Sequence, residues 1–243
     1  IALSSQTGIW VIIPAAGAGS RMGTSLPKQY LPLLNETVVA ITVKRLANFP
    51  GVKGIFVGIS PDDTHWPTIK YQVGSLSAPL ETYTGGESRA QTVLNGLKLL
   101  SEKSDEGDWV LVHDAARPCI RNDDIQKLID ETGNTVGGGI LALPIGDTVK
   151  QTDDKDQINQ TVSREHLWRA LTPQYFPVND LKSALTKALD EGVEITDEAS
   201  AMEFVGAHPK CIVGRADNIK ITFPDDLELA EMYLRNQQKE LRQ

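Results

Sequence analysis

The stretch Pro14-Ala15-Ala16-Gly17-Ala18-Gly19-Ser20-Arg21-Met22 gathers small residues and a cation in one turn, directly after the apolar run Ile9 to Pro14. Small side chains let a backbone approach a phosphate closely, and turned N–H groups can face an anion. The loop fits neither common phosphate-binding class. Counted from Gly17, the dinucleotide pattern Gly-x-Gly-x-x-Gly meets Met22 where its last glycine belongs, and the Walker Gly-Lys-Ser/Thr is missing. A tight turn with glycines kept for packing is the other reading. Seven residues after Arg21 comes Lys28, in Pro27-Lys28-Gln29-Tyr30-Leu31. Transfer of a nucleotidyl group builds negative charge on the α-phosphate, and fixed cations at that point lower the barrier. Arginine suits bidentate phosphate contact, and lysine acts as a movable point charge.

Further along, Gly85-Gly86-Glu87-Ser88-Arg89-Ala90-Gln91-Thr92 is a second glycine loop entering a helix, suited to a base or ribose edge or simply to a helix start capped by Ser88. His113-Asp114-Ala115-Ala116-Arg117-Pro118 follows an apolar run and so falls at the carboxyl end of a strand, where open α/β sheets carry their ligand crevice. A carboxylate is costly there unless it holds a metal or a donor. Mg²⁺ takes one or two carboxylates plus substrate phosphates, which makes Asp114 a candidate ligand; a structural Asp114–Arg117 contact is the alternative. In Gly214 to Thr222, Asp217 is a candidate second metal ligand and Lys220 a phosphate contact.

These loops need a frame, and strand and helix signals alternate to provide one. Strands are expected at Ile9 to Pro14, Val52 to Ile59, Leu80 to Thr84, Trp109 to His113 and Gly138 to Pro144. Helices are expected near Thr37 to Asn48, over Ser88 to Leu100, around Ile125 to Ile129 with Asn122 or Asp123 as N-cap, over Leu181 to Leu189, and from about Pro224 onward. The alternation predicts an α/β fold: a doubly wound, mostly parallel sheet with right-handed crossovers. Gln151 to Gln160 is almost wholly polar between β-prone flanks, which reads as a projecting two-stranded arm or a plain surface hairpin.

The 243 residues suit a single domain, here taken over 1–243 with the arm at about 147–164. A net charge of −8 argues against general nucleic-acid binding, which needs a basic surface. No apolar run approaches the ~18 residues of a membrane span, and the first residues lack the sections of a signal peptide. Cys119 and Cys211 show no metal spacing, and the four histidines form no zinc motif. The expectation is a cytoplasmic chain with reduced thiols.

Taken together, the segments closely resemble the 2-C-methyl-D-erythritol 4-phosphate cytidylyltransferases of the non-mevalonate isoprenoid pathway, from about Val11 to Tyr233. The likeness rests on Pro14 to Met22 with Pro27-Lys28-Gln29-Tyr30, on Val112 to Pro118, on Thr196-Asp197-Glu198-Ala199-Ser200 and on Arg215 to Lys220. It implies a Rossmann-like nucleotidyltransferase that uses CTP, a small polyol phosphate and Mg²⁺. Arg21 and Lys28 would be catalytic. Pro14, Ala15, Ala16, Gly17, Gly19, Gly86, Glu87, Arg89, Thr92, Asp114 and Ala115 would surround the nucleotide. Arg117, Asp147, Thr148, Arg164, Thr196 and Lys220 would hold the second substrate. Asp114 and Asp217 would hold the metal. In the family the arm positions Asp147, Thr148 and Arg164 reach the partner subunit's site, which implies a homodimer. Where family members often carry Asp in the second glycine loop, this chain has Glu87. The nucleophile would be the acceptor's own ionised phosphate oxygen, so no protein base is needed. Three rivals stay open: a ribitol 5-phosphate cytidylyltransferase, a Rossmann dehydrogenase, and a non-catalytic nucleotide-binding protein.

Overall fold

The computed structural model describes residues 7–17, 26–133, 135 and 137–241. Strand β1 (Ile9–Pro14) is flanked by β4 (Val52–Ile59) and β6 (Trp109–Val112), and β5 (Leu80–Thr84) lies beyond β4. These strands pair in parallel. On the other side of β6 stands β10 (Trp168–Pro177), then β7 (Gly139–Pro144) and the edge strand β11 (Lys210–Val213). β10 runs antiparallel to both its neighbours, whereas β11 and β7 are parallel. The sheet is thus mostly parallel, as expected, with one reversed strand that the sequence pattern did not announce.

Alternation along the strands sorts the core into two layers. Val11, Ile13, Ile55, Val57 and Leu111 face one side of the sheet. There they meet α1 (Val38–Ala47) through Val43 and Leu46, α2 (Trp66–Val73) through Ile69, and α4 (Asn122–Thr132) through Ile125 and Leu128. Ile12, Phe56, Val110 and Val112 face the opposite side. They meet α3 (Arg89–Leu100) through Val93 and Leu97, α5 (Val178–Asp190) through Leu181 and Leu185, and α6 (Glu198–Phe204) through Met202. Helices on both faces make the sheet doubly wound. The closing helix α7 (Asp225–Glu240) packs Ala230 and Leu234 on Leu31, Leu33 and Ile221 as a third cluster. Short strands β2 (Pro32–Leu33) and β3 (Glu36–Thr37) form a hairpin beside it.

The expected N-cap of α4 moves by one residue. Arg121 occupies the cap, and Asn122 already opens the helix. Asp123 and Asp124 then fall in the first turn, where carboxylates suit the helix dipole. The polar arm is a separate two-stranded sheet of β8 (Val149–Thr152) and β9 (Ile158–Val162). Its tip is closed by Asp153, whose carboxylate accepts from the N–H groups of Lys155 and Gln157. No described helix is long and apolar enough to cross a membrane.

Candidate active site

The described part of the first loop leaves β1 at the carboxyl edge of the sheet. Its first N–H is not available to a ligand, because Ala15 donates it to the Gly58 carbonyl at 2.7 Å and so extends the pairing with β4. Pro14, Ala15, Ala16 and Gly17 nevertheless line a cavity of about 320 Å³. The 3₁₀ turn Lys28–Tyr30 brings Lys28 to the same cavity. That turn is pinned from behind by the Tyr30 hydroxyl, which donates to Asp63 at 2.5 Å. Arg21 and Gly19 lie outside the described residues.

The second glycine loop forms the opposite wall through Gly86, Glu87, Arg89 and Thr92. Ser88 is the N-cap of α3 and accepts from the Gln91 N–H at 3.0 Å. The Thr92 hydroxyl accepts from the Gly86 N–H at 3.0 Å and lies 2.9 Å from the Ser88 carbonyl, so the loop is folded back on its own helix. The two loops touch: a Cβ on Gly85 would overlap that of Ala16, which restricts the position to glycine.

Asp114 stands where these walls meet, and Ala115 and Lys220 line the cavity beside it. Its carboxylate is held by three cations: Arg89 at 3.1 Å on one oxygen, and Arg117 at 3.2 Å and Lys220 at 3.0 Å on the other. Burial opposes its ionisation, but the positive charges of Arg89, Lys220 and Arg117 outweigh burial and hold the carboxyl well below the usual carboxylate range. The expected Asp114–Arg117 contact is therefore present as part of a larger charged cluster. Arg89 forks onto both oxygens of Glu198, at 2.7 and 3.1 Å. Burial outweighs the pull of Arg89 and holds the Glu198 carboxyl above the usual carboxylate range. Arg117 also donates to the Asn218 carbonyl at 2.8 Å.

Behind this cluster a second cavity of about 240 Å³ is lined by Arg117, Thr172, Thr196 and Asp197. Arg89, Asp114 and Lys220 line both cavities and so form their common wall. Gln174 sets the far side. Its amide donates to Asp197 at 2.9 Å and its carbonyl accepts from the Ala199 N–H at 2.9 Å, which ties the start of α6 to β10.

His113 is fully buried and locked in one tautomer. The Arg117 carbonyl, 3.0 Å from Nε2, can only accept, so Nε2 carries the proton of the neutral ring. Nδ1 then accepts from the Thr172 hydroxyl at 3.0 Å, and that hydroxyl in turn accepts from the Asp114 N–H at 3.1 Å. Burial pushes His113 down to about 4. Its unfolded value is near 6.5, so the unfolded chain binds the extra proton between those pH values and the folded chain does not. Stability is therefore full above about pH 6.5 and falls as pH drops toward 4, by about 3 kcal/mol in all. Urea unfolding of the metal-free protein from pH 7 to pH 4 is expected to show this loss, with a flatter profile in His113→Gln. Parallel profiles would remove His113 as its source.

The structure does not bring every expected residue together. Asp217 lines neither cavity. One oxygen of its carboxylate accepts from Arg121 at 2.7 and 3.0 Å and from the Gln237 amide at 3.1 Å, which fastens α7 to the start of α4. The other oxygen is buried and has no hydrogen-bond partner among the described residues. Asp147, Thr148 and Arg164 sit at the base of the arm and also line neither cavity; Arg164 donates to the Gly146 carbonyl. Among the described residues no three His, Cys, Asp or Glu side chains converge as a metal cage. Asp114 and Glu87 are the carboxylates facing the large cavity, a donor set that fits an ion held mainly by phosphate oxygens. Thr172 and Gln174 were not expected, and Glu198 and Asn218, though inside the segments that carry the resemblance, had no role assigned; their partners lie tens of residues away in sequence, and spacing carries no trace of them.

Comparison with known proteins matches this arrangement. The profile of the 2-C-methyl-D-erythritol 4-phosphate cytidylyltransferase family covers residues 9–236. A protein of that name from Shewanella halifaxensis is 48% identical over 231 residues, spanning 94% of this chain and 96% of the relative. One from Hahella chejuensis is 48% identical over 227 residues, spanning 93% of each. A crystal structure of a 4-diphosphocytidyl-2C-methyl-D-erythritol synthase superposes with a TM-score of 0.81 at 36% identity, over 95% of this chain and all of the other. The Francisella tularensis cytidylyltransferase superposes with a TM-score of 0.79, also at 36% identity, over 93% of this chain and 99% of its own. The fold is that of a Rossmann-like nucleotidyltransferase, and the chain belongs to the 2-C-methyl-D-erythritol 4-phosphate cytidylyltransferase family.

Proposed function

We propose that the chain transfers the cytidylyl group of CTP to 2-C-methyl-D-erythritol 4-phosphate, giving 4-diphosphocytidyl-2-C-methyl-D-erythritol and pyrophosphate, in non-mevalonate isoprenoid precursor synthesis. The observation that carries the residue roles is the shared wall. A large cavity beside a phosphate-type loop and a smaller one behind it are separated by Arg89, Asp114 and Lys220. Two anionic ligands can then meet end to end with fixed cations between them.

In this reading CTP occupies the large cavity, with its base and ribose toward Gly86, Glu87 and Thr92 and its phosphates toward Ala16, Gly17 and Lys28. The acceptor phosphate occupies the small cavity against Arg117, Thr196 and Lys220. One of its oxygens attacks the α-phosphorus, the new P–O bond forms, and the bond to the bridging oxygen breaks. Pyrophosphate leaves with that electron pair. No proton moves, so neutral, locked His113 has no role as a base. Lys28, joined by Arg21, stabilises the charge that grows on the α-phosphate. Mg²⁺, carried in with the triphosphate and held by Asp114, would neutralise phosphate charge. Catalysis is then orientation plus electrostatics.

The arm serves a homodimer in the same reading. Asp147, Thr148 and Arg164 stand away from their own chain's cavities and would complete the partner subunit's acceptor site. Exposed Ile158 and Trp168, on the arm and next to it, support a covered surface there. We assign the protein to the cytoplasm, with neither nucleic acid nor membrane as partner.

A pyrophosphate-release assay with CTP, UTP and ATP against 2-C-methyl-D-erythritol 4-phosphate and ribitol 5-phosphate tests the proposal. CTP with the methylerythritol phosphate is expected to turn over fastest and to need a divalent ion. Faster turnover of ribitol 5-phosphate would move the chain to the sister activity. Sedimentation of a monomer at working concentration would end the arm's role.

A further inference from the structure

We infer that Gln29 is a positioning residue, which fixes the first phosphate loop and Lys28 relative to each other through a double hydrogen-bond bridge. This rests on the cytidylyltransferase reading and adds to it a residue with no assigned role.

Gln29 is 4% exposed, although it is a polar side chain at the rim of a ligand cavity. Its amide nitrogen donates to the Ala15 carbonyl at 2.8 Å and to the Gly17 carbonyl at 3.0 Å. A primary amide carries two protons on one nitrogen, and both are used. Two consequences follow for the loop. First, two carbonyl oxygens that would repel a triphosphate are turned onto a donor. Second, a trans peptide sends its C=O and N–H in opposite directions, so holding the Ala15 carbonyl turns the Ala16 N–H away from Gln29. The Ala15 N–H is already spent on Gly58, so the orientation of the next peptide governs what the loop offers an anion.

The same bridge reaches the catalytic cation, because Gln29 follows Lys28 in the 3₁₀ turn. On its other side the turn is held by Tyr30 and Asp63. Among the described residues the turn is anchored through Gln29, which reaches the phosphate loop, and through Tyr30, which reaches Asp63. Leucine or methionine would fill the same space without a donor. Glutamate would set lone pairs against lone pairs. The chemistry selects a neutral side chain with two protons on one atom.

Gln29→Met keeps the length and removes both donors. It is expected to fold, to lower kcat on the order of 10²-fold through misplacement of the reacting groups, and to raise the KM for CTP. The KM for the acceptor is expected to stay within about twofold, since the small cavity is not touched. Gln29→Glu is expected to show a larger loss in the same pattern. A folded Gln29→Met enzyme with near wild-type kcat and CTP KM overturns the inference. An equal rise in both KM values also overturns it, because general loosening would do that. If neither variant folds, the wild-type chain carries the test. Its Gln29 side-chain amide protons are expected to exchange far more slowly than those of a free amide, and exchange at the free rate overturns the bridge. That measurement needs no substrate. A wild-type chain inert toward CTP and the methylerythritol phosphate would instead end the cytidylyltransferase reading.

Discussion

Lys28→Ala lowers kcat on the order of 10²–10³-fold, and CTP affinity falls by much less. The expectation follows from when the charge appears. On the proposed reading the ground-state triphosphate would already be met by the loop backbone and the common wall, together with the metal it would bring. The additional charge on the α-phosphate exists only as the bond to pyrophosphate breaks, and a cation placed there acts on the barrier more than on binding. The loss corresponds to about 2.7–4 kcal/mol of transition-state stabilisation. Arg21→Ala is expected to behave alike. Steady-state kinetics with a separate calorimetric measurement of CTP affinity checks both. A near wild-type kcat in Lys28→Ala would remove the residue from the chemistry, and a loss confined to affinity would make it a binding group.

Glu198→Ala is expected to cost about 3–5 kcal/mol of folding stability, the effect of removing one member of a buried ion pair. Glu198 is 1% exposed and both its oxygens serve Arg89. Without it Arg89 keeps its charge, because Asp114 still faces it, but loses two strong acceptors at the wall between the two cavities. Since a domain has only about 5–15 kcal/mol in hand, the midpoint of urea unfolding is expected to drop steeply. Replacing Arg89 and Glu198 together by Met and Leu is expected to recover much of that stability and none of the activity. Loss below about 1 kcal/mol in the single variant would show that the pair contributes little and that the wall stands without it.

What the sequence disclosed and what it hid divide along one physical line. β1, β4, β6 and β7 were visible because strands buried on both faces are continuous apolar runs; β5 (Leu-Glu-Thr-Tyr-Thr), at the sheet edge with only Tyr83 buried, is a weaker, β-prone signal. β10 was hidden because its first residues, Trp168 and Arg169, are exposed and Pro173 interrupts the run. The chain changes surroundings halfway along it. β11 was hidden because an edge strand of Lys210 to Val213 buries only Ile212 deeply. In the site, Lys28, Asp114 and the two glycine loops were legible because each sits in a local motif whose chemistry is carried by neighbours in sequence. Glu198 was not, since its partner Arg89 is 109 residues away. The contacts of Asp217 were hidden for the same reason: Arg121 and Gln237 reach it from 96 and 20 residues away.

The common wall sets Arg89, Arg117 and Lys220 against Asp114 and Glu198, so its charges nearly cancel. Such a surface grips no lone phosphate hard. Under the proposed reading, inorganic phosphate would compete only weakly for this wall, and excess charge there would not hold back the finished diphosphate.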